Sequence, residues 1–187
     1  MTPRRLLLTV LSCLSLLALA PATAAAACAD ANVDPGGVTE ARVVAATQCL
    51  VNAERARRGL GALTRDDRLD VAARRHARDM VARQYFAHRS PEGRHSSDRI
   101  RSAGYLASAS AWVVGENLAW GTYDRATPRA IVAAWMASPG HRANILDRRY
   151  RQIGVGLAPG NPVLGDGAGA TYATTFGKAV RARGARR

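Results

Sequence analysis

Aromatic residues make up only 5% of this 187-residue chain, and Lys178 is its single lysine, so the excess of basic over acidic groups is almost entirely arginine. No Gly-Lys-Ser/Thr loop is present to cradle a nucleotide phosphate, no Cys-x-x-Cys pair suggests a zinc finger, and no internal repeat is visible. A His-Glu-x-x-His helix and a Gly-x-Ser-x-Gly elbow are also missing, which removes the commonest zinc-protease and serine-hydrolase signatures. What remains is ordinary: 48% hydrophobic and 22% charged residues, close to the averages for globular chains and unlike disordered, collagen-like or multi-spanning proteins. The length suits one domain.

Residues Met1 to Arg5 are basic, Leu6 to Ala20 form an apolar run, and Pro21 to Ala27 supply small residues in Ala-x-Ala form. This is the pattern of a secretory signal over residues 1–27. An uncleaved anchor is the competing reading, since roughly 20 apolar residues span a bilayer; Pro21 and the Ala/Thr-rich end favour cleavage. The expected location is therefore outside the cytoplasm, secreted or associated with the cell wall, with membrane contact only through an uncleaved signal. Residues 28–38 then form an N-terminal arm, 39–177 the domain, and 178–187 a basic tail. Cys13 leaves with the signal, so Cys28 and Cys49 remain as one pair in an oxidising compartment, where a disulfide is the default. Such a bridge stabilises by about 3 kcal/mol on the chain-entropy model. The net charge of +13 for the whole chain falls to +11 once Arg4 and Arg5 leave with the signal, and on an exported, monomeric protein it suits anionic envelope polymers or lipid headgroups as partners. Export removes nucleic acid as a specific one.

Helical spacing runs from Thr39 through Val43, Ala46, Leu50 and Ala53, with Gly59 as the stop. A second stripe, Leu69, Ala73, His76 and Met80, starts near Asp66 and fades by Gln84. Residues Ser96 to Ala103 suit a short third helix, and Thr127-Pro128 caps and opens a fourth through Ile131, Val132 and Trp135. Strand character appears at Trp112 to Leu118, Ile153 to Leu157 and Thr171 to Phe176, with Gly160 to Gly169 as the loop between the last two. Helices early and strands late point to an α+β layer arrangement with an antiparallel sheet.

Three polar residues stand where apolar neighbours dominate: His88 after Tyr85-Phe86-Ala87, Glu116 within Val-Val-Gly-Glu-Asn-Leu, and His141 after Ser138-Pro139-Gly140. By spacing alone they are equally surface or hydrogen-bonded core histidines and a loop-capping glutamate. Several motifs then coincide. Asn52-Ala53-Glu54-Arg55 with Gly59-Leu60, Phe86-Ala87-His88, Gly115-Glu116-Asn117-Leu118, and Trp135 followed by Ser138-Pro139-Gly140-His141-Arg142-Ala143-Asn144-Ile145-Leu146 together resemble the CAP superfamily of cysteine-rich secretory, antigen 5 and pathogenesis-related 1 proteins, in its short bacterial form. The resemblance covers about residues 45–177, in the family's motif order.

That resemblance implies a three-layer α-β-α sandwich around a central antiparallel sheet, and a cleft where His88, Glu116 and His141 converge. Two imidazoles and a carboxylate suit zinc or another divalent cation with one position left for water; no organic cofactor is implied. Asn117 and Asn144 would hold those ligands from behind or stabilise turns. A second glutamate carried by larger family members is replaced by Ser138, and one glutamate does not easily serve as both metal ligand and base. The chain is thus read as a non-enzymatic module for a small apolar, glycan or peptide ligand. The alternative is a metal-assisted hydrolase of peptide or cell-wall bonds using Glu116, His141 and His88. A serine triad from Ser138 or Ser90 is the weakest option. His76 is assigned to the core, and His95 to a polar loop that could border the cleft.

Overall fold

A computed structural model describes residues 28–163 and 169–181; the signal-like segment, part of the Gly160–Gly169 loop and the end of the basic tail lie outside the described residues. Among the described residues, five helices, α1 (Glu40–Ala56), α2 (Asp67–Ala82), α3 (Ser96–Ser102), α4 (Pro128–Ala137) and α5 (Pro139–Leu146), accompany four strands: β1 (Thr64–Arg65), β2 (Ala109–Gly121), β3 (Gln152–Pro159) and β4 (Ala170–Arg181). The sheet order is β1-β3-β4-β2. Its main ladders, β2 with β4 and β3 with β4, are antiparallel, as the sequence suggests. The two-residue β1 pairs parallel to β3, which makes the sheet mixed. That short edge arises because the connection from α1 to α2 runs beside β3 just long enough to exchange a few backbone bonds, such as Thr64 N–H to Arg151 O at 3.0 Å.

The layers follow from strand alternation, since successive side chains leave a strand on opposite faces. On β3, Ile153, Val155 and Leu157 join Val43, Val51, Ile131, Trp135, Tyr172 and Phe176 in the larger core beneath α1 and α4. The intervening Gly154 and Gly156 face α2. A Cβ on Gly156 would lie 2.0 Å from the Arg74 backbone nitrogen, so only glycine lets helix and strand approach this closely. Buried Asp70 fastens the same contact, its carboxylate accepting from Val155 N–H at 2.8 Å and from Arg65 Nε at 2.5 Å. The predicted stripe Leu69, Ala73, His76 and Met80 is buried throughout.

Two of the resemblance-bearing residues prove to be structural. Asn52 exchanges hydrogen bonds with the main chain of Leu63 at 2.8 and 3.1 Å. Arg55, also buried, donates to the carbonyls of Gly61, Ile145 and Asp147 and so ties α1 to the end of α5. Cys28 and Cys49 form a disulfide that fastens the N-terminal arm to α1. Two boundaries differ from what the sequence suggests. Residues 139–146, to which the sequence assigns no helix, form α5, with Pro139 in its first turn, where its missing N–H costs nothing. The expected tail from Lys178 instead continues β4 to Arg181, because Lys178, Ala179 and Val180 pair with Val113, Trp112 and Ala111.

Candidate functional site

Glu116 lies on β2, the sheet edge opposite β1, and its neighbours come from both layers. Its side chain is directed to the α2 face, where it is only 3% exposed. His88 follows α2 and brings Nδ1 to 2.9 Å from Glu116 Oε1, with its own side chain 59% exposed. From α3, Arg99 Nη2 donates to both carboxylate oxygens at 2.9 and 2.7 Å and to His88 O at 2.9 Å. His76, from α2, places Nε2 at 4.0 Å from Glu116 Oε1 and at 3.0 Å from Ala87 O. Its other nitrogen meets the Tyr85 hydroxyl at 3.4 Å, and that hydroxyl donates to Asp79 at 2.5 Å.

The opposite side of the same edge is built by α5. Asn144 Nδ2 donates to Glu116 O at 3.0 Å and to Asn117 Oδ1 at 2.9 Å, while Asn117 Nδ2 donates to His141 O at 3.0 Å. Asn144 thereby satisfies a carbonyl of the edge strand, and Asn117 ties the strand to the first turn of α5. Gly115 completes the junction: a Cβ there would meet the Tyr150 hydroxyl at 2.2 Å. Thus Gly-Glu-Asn and Gly-His-Arg-Ala-Asn are two halves of one strand-to-helix joint. His141 lies in the first turn of α5.

Protonation follows from these contacts. Burial pushes the Glu116 carboxyl up, but the His88 hydrogen bond, the Arg99 charge and nearby His76 outweigh it and hold the group below the ordinary carboxylate value. Burial lowers His76, which stays the neutral form more readily than a free imidazole despite Glu116 nearby. His141 is lowered first by burial and then by His88.

His88, Glu116 and His141 would be the donors for a divalent ion. Glu116 already gives both oxygens to Arg99, whose fixed positive charge stands where a second cation would have to approach, and Oε1 also faces His88. Among the described residues no three His, Cys, Asp or Glu side chains converge as a metal ion requires. The donor set in this arrangement fits a charge-paired cluster and does not fit zinc, so the metal site implied by the resemblance is not met by these side chains. Arg99 and Tyr85 carry no mark in the sequence, since nothing in a short polar helix or before Phe86 singles them out. His76 does carry a signal, a histidine on an otherwise apolar stripe, though that stripe assigns it to the core. His95 is the N-cap of α3, and its backbone N–H donates to Asp98 Oδ2 at 2.9 Å.

Helices on both faces of a largely antiparallel sheet, with an edge-strand glutamate joined to an asparagine-bearing helix, define the class to which this molecule belongs. The chain is a member of the cysteine-rich secretory protein (CAP) family, whose profile matches residues 49–167. It is 42% identical over 107 residues to the uncharacterized protein YkwD of Bacillus subtilis, covering 57% of this chain and 39% of that one. It is 33% identical over 108 residues to the uncharacterized membrane protein YlbC of the same organism, covering 58% of this chain and 29% of YlbC. The chain therefore spans well under half the length of these relatives. An extracellular protein of Bacillus anthracis containing an SCP domain superposes with a TM-score of 0.58 at 26% identity, covering 78% of this chain and 44% of that chain. An outer surface protein of Borrelia burgdorferi shares the fold, with a TM-score of 0.59, 22% identity, and coverage of 71% and 90%. No helix among the described residues is long and apolar enough to cross a membrane.

Proposed function

We propose that this CAP domain acts outside the cytoplasm as a binding module that holds a small glycan or peptide ligand beside His88 and the first turn of α5, which carries His141, without hydrolysing it. The signal-like N-terminus, the disulfide, and the extracellular SCP-domain protein among its structural neighbours support export. The observation that carries the non-catalytic reading is the state of Glu116. A general base needs an oxygen free to take a proton from water or substrate, whereas both Glu116 oxygens accept from a guanidinium and the side chain is buried. His88 is exposed and anchored through Nδ1, a geometry suited to presenting its other ring nitrogen to a ligand hydroxyl or carbonyl.

The test is a panel of peptides and peptidoglycan fragments assayed for both binding and turnover, with and without a chelator, alongside zinc titration of the melting temperature. Saturable binding without turnover, and no zinc-dependent rise of the kind mass action gives a tight site, is the expected outcome. Turnover abolished by chelator and by Glu116→Ala would replace the binding module with a metal-assisted hydrolase.

A further inference from the structure

Beside the Glu116 cluster, and sharing the Arg99 side chain with it, is a cavity of about 390 Å³. Its lining includes Arg75, Arg83, Arg94 and Arg99 with Ser90 and Ser102. Not all of those charges are free. Arg83 is paired with Glu92 at 2.5 Å and Asp79 at 3.6 Å, and Arg99 is paired with Glu116. Arg75 and Arg94 have no carboxylate within ion-pair distance among the described residues, and the Arg94 guanidinium donates to the Ser102 hydroxyl at 2.7 Å. The acidic groups in the wall, Asp79 and Glu92, are occupied by Arg83 and by the Tyr85 hydroxyl. The concave surface thus carries two uncompensated guanidinium groups. In addition, Arg99 Nε is buried without an acceptor.

We infer that this cavity binds a phosphoryl group. Two uncompensated guanidinium charges match the charge of a phosphate or phosphate monoester better than that of a lone carboxylate, and guanidinium forks suit phosphate oxygens geometrically. A concave wall of one sign concentrates the field that draws such an anion in. The volume exceeds what a bare phosphate fills and leaves room for the group that carries it. The inference does not rest on the function proposed for the cleft, in which Arg75 and Arg94 take no part. The group could arrive as free phosphate, as a soluble ester, or as the headgroup of an anionic lipid; the recognition chemistry is shared.

The experiment titrates the disulfide-bonded protein at physiological salt with inorganic phosphate, with glycerol phosphate, and with vesicles containing phosphatidylglycerol. The Arg99 Nε–H resonance and isothermal calorimetry serve as readouts. The expected result is one saturable site that shifts the Arg99 resonance, weakened roughly tenfold or more in Arg75→Gln/Arg94→Gln. The comparison variant is Arg57→Gln/Arg58→Gln, which removes the same charge from arginines paired with Glu54 at the C-terminal end of α1 and is expected to bind like the parent. Binding by the soluble anions identifies a phosphate or phosphate ester, and binding by vesicles alone, lost in Arg75→Gln/Arg94→Gln, identifies a lipid headgroup. Either assigns the cavity. Equal weakening in both double variants, an unmoved Arg99 resonance, or no binding in any arm overturns it.

Discussion

Replacing Arg99 with alanine removes the guanidinium from a carboxylate that is 3% exposed, deleting two hydrogen bonds to Glu116 at 2.7 and 2.9 Å and further ones to the His88 and Arg94 carbonyls. Breaking one side of a buried ion pair typically costs about 3 to 5 kcal/mol, because the remaining charge stays buried without its partner. At about 2 to 4 °C per kcal/mol for a domain of this size, the melting temperature is expected to fall by roughly 6 to 20 °C. Urea unfolding with the disulfide intact reads the loss directly from the midpoint at constant slope. The double variant Arg99→Ala/Glu116→Gln separates the ion pair from the other contacts of Arg99. It is expected to be more stable than Arg99→Ala alone, with a coupling above about 1 kcal/mol. A single-variant loss below about 1 kcal/mol, far under the cost of orphaning a buried charge, or no coupling in the cycle, would refute the picture of Glu116 as a charge fixed by Arg99.

Three further outcomes follow from the same geometry. Gly156→Ala, which would force a Cβ to 2.0 Å from the Arg74 backbone, is expected to cost at least about 3 kcal/mol, at or beyond the upper end of ordinary overpacking, whereas Gly37→Ala, with nothing nearby, is expected to change the urea midpoint little. Cys28→Ser/Cys49→Ser opens a loop of 21 residues in sequence separation and is expected to lower stability by about 3 kcal/mol, measured under identical non-reducing conditions. His76 and His141 have folded pKa values below the ordinary 6.5, so the unfolded chain binds protons first as pH falls; stability is full above about pH 6.5 and declines through that value. Urea midpoints between about pH 8 and 5.5, which bracket the ordinary histidine value, should therefore drop in the parent and stay flatter in His76→Gln/His141→Gln; an equal slope in both removes these histidines as the cause. Glu116, depressed, adds a separate loss only as pH falls below its ordinary 4.5.

The layer order is legible in the sequence because it depends on periodicity. The stripe Leu69, Ala73, His76 and Met80 encodes one buried helix face, and Ile-Gly-Val-Gly-Leu encodes a strand with bulky residues on one side and a helix pressed against the other. Helix α5 is not legible, since Pro139 and Gly140 are poor helix formers and the segment is short; what ties it down is long-range, namely Asn144 donating to Glu116 O and Asn117 Oδ1 on β2 and Asn117 donating back to His141 O. The pairing of Arg99 with Glu116 is hidden for the same reason. An arginine in a polar seven-residue helix looks solvated until the sheet edge is placed beside it. Residue types nominate candidate ligands, and only the three-dimensional neighbours reveal that a guanidinium already occupies the carboxylate.

This occupancy also explains how one carboxylate organises two surfaces. Glu116 orients His88 toward solvent on one side and, through Nη2, holds the Arg99 side chain in the wall of the arginine-lined cavity on the other. A neutral side chain of similar size at position 116 would keep the packing but leave the His88 ring and the Arg99 fork without a charge to align them. Glu116→Gln is therefore expected to preserve the fold while loosening both surfaces. The signature is a joint one: the His88 ring resonances lose their dependence on a neighbouring carboxylate, and the Arg99 Nη2 protons exchange with water faster. If only the histidine responds, the two surfaces are independent and Glu116 serves the cleft alone.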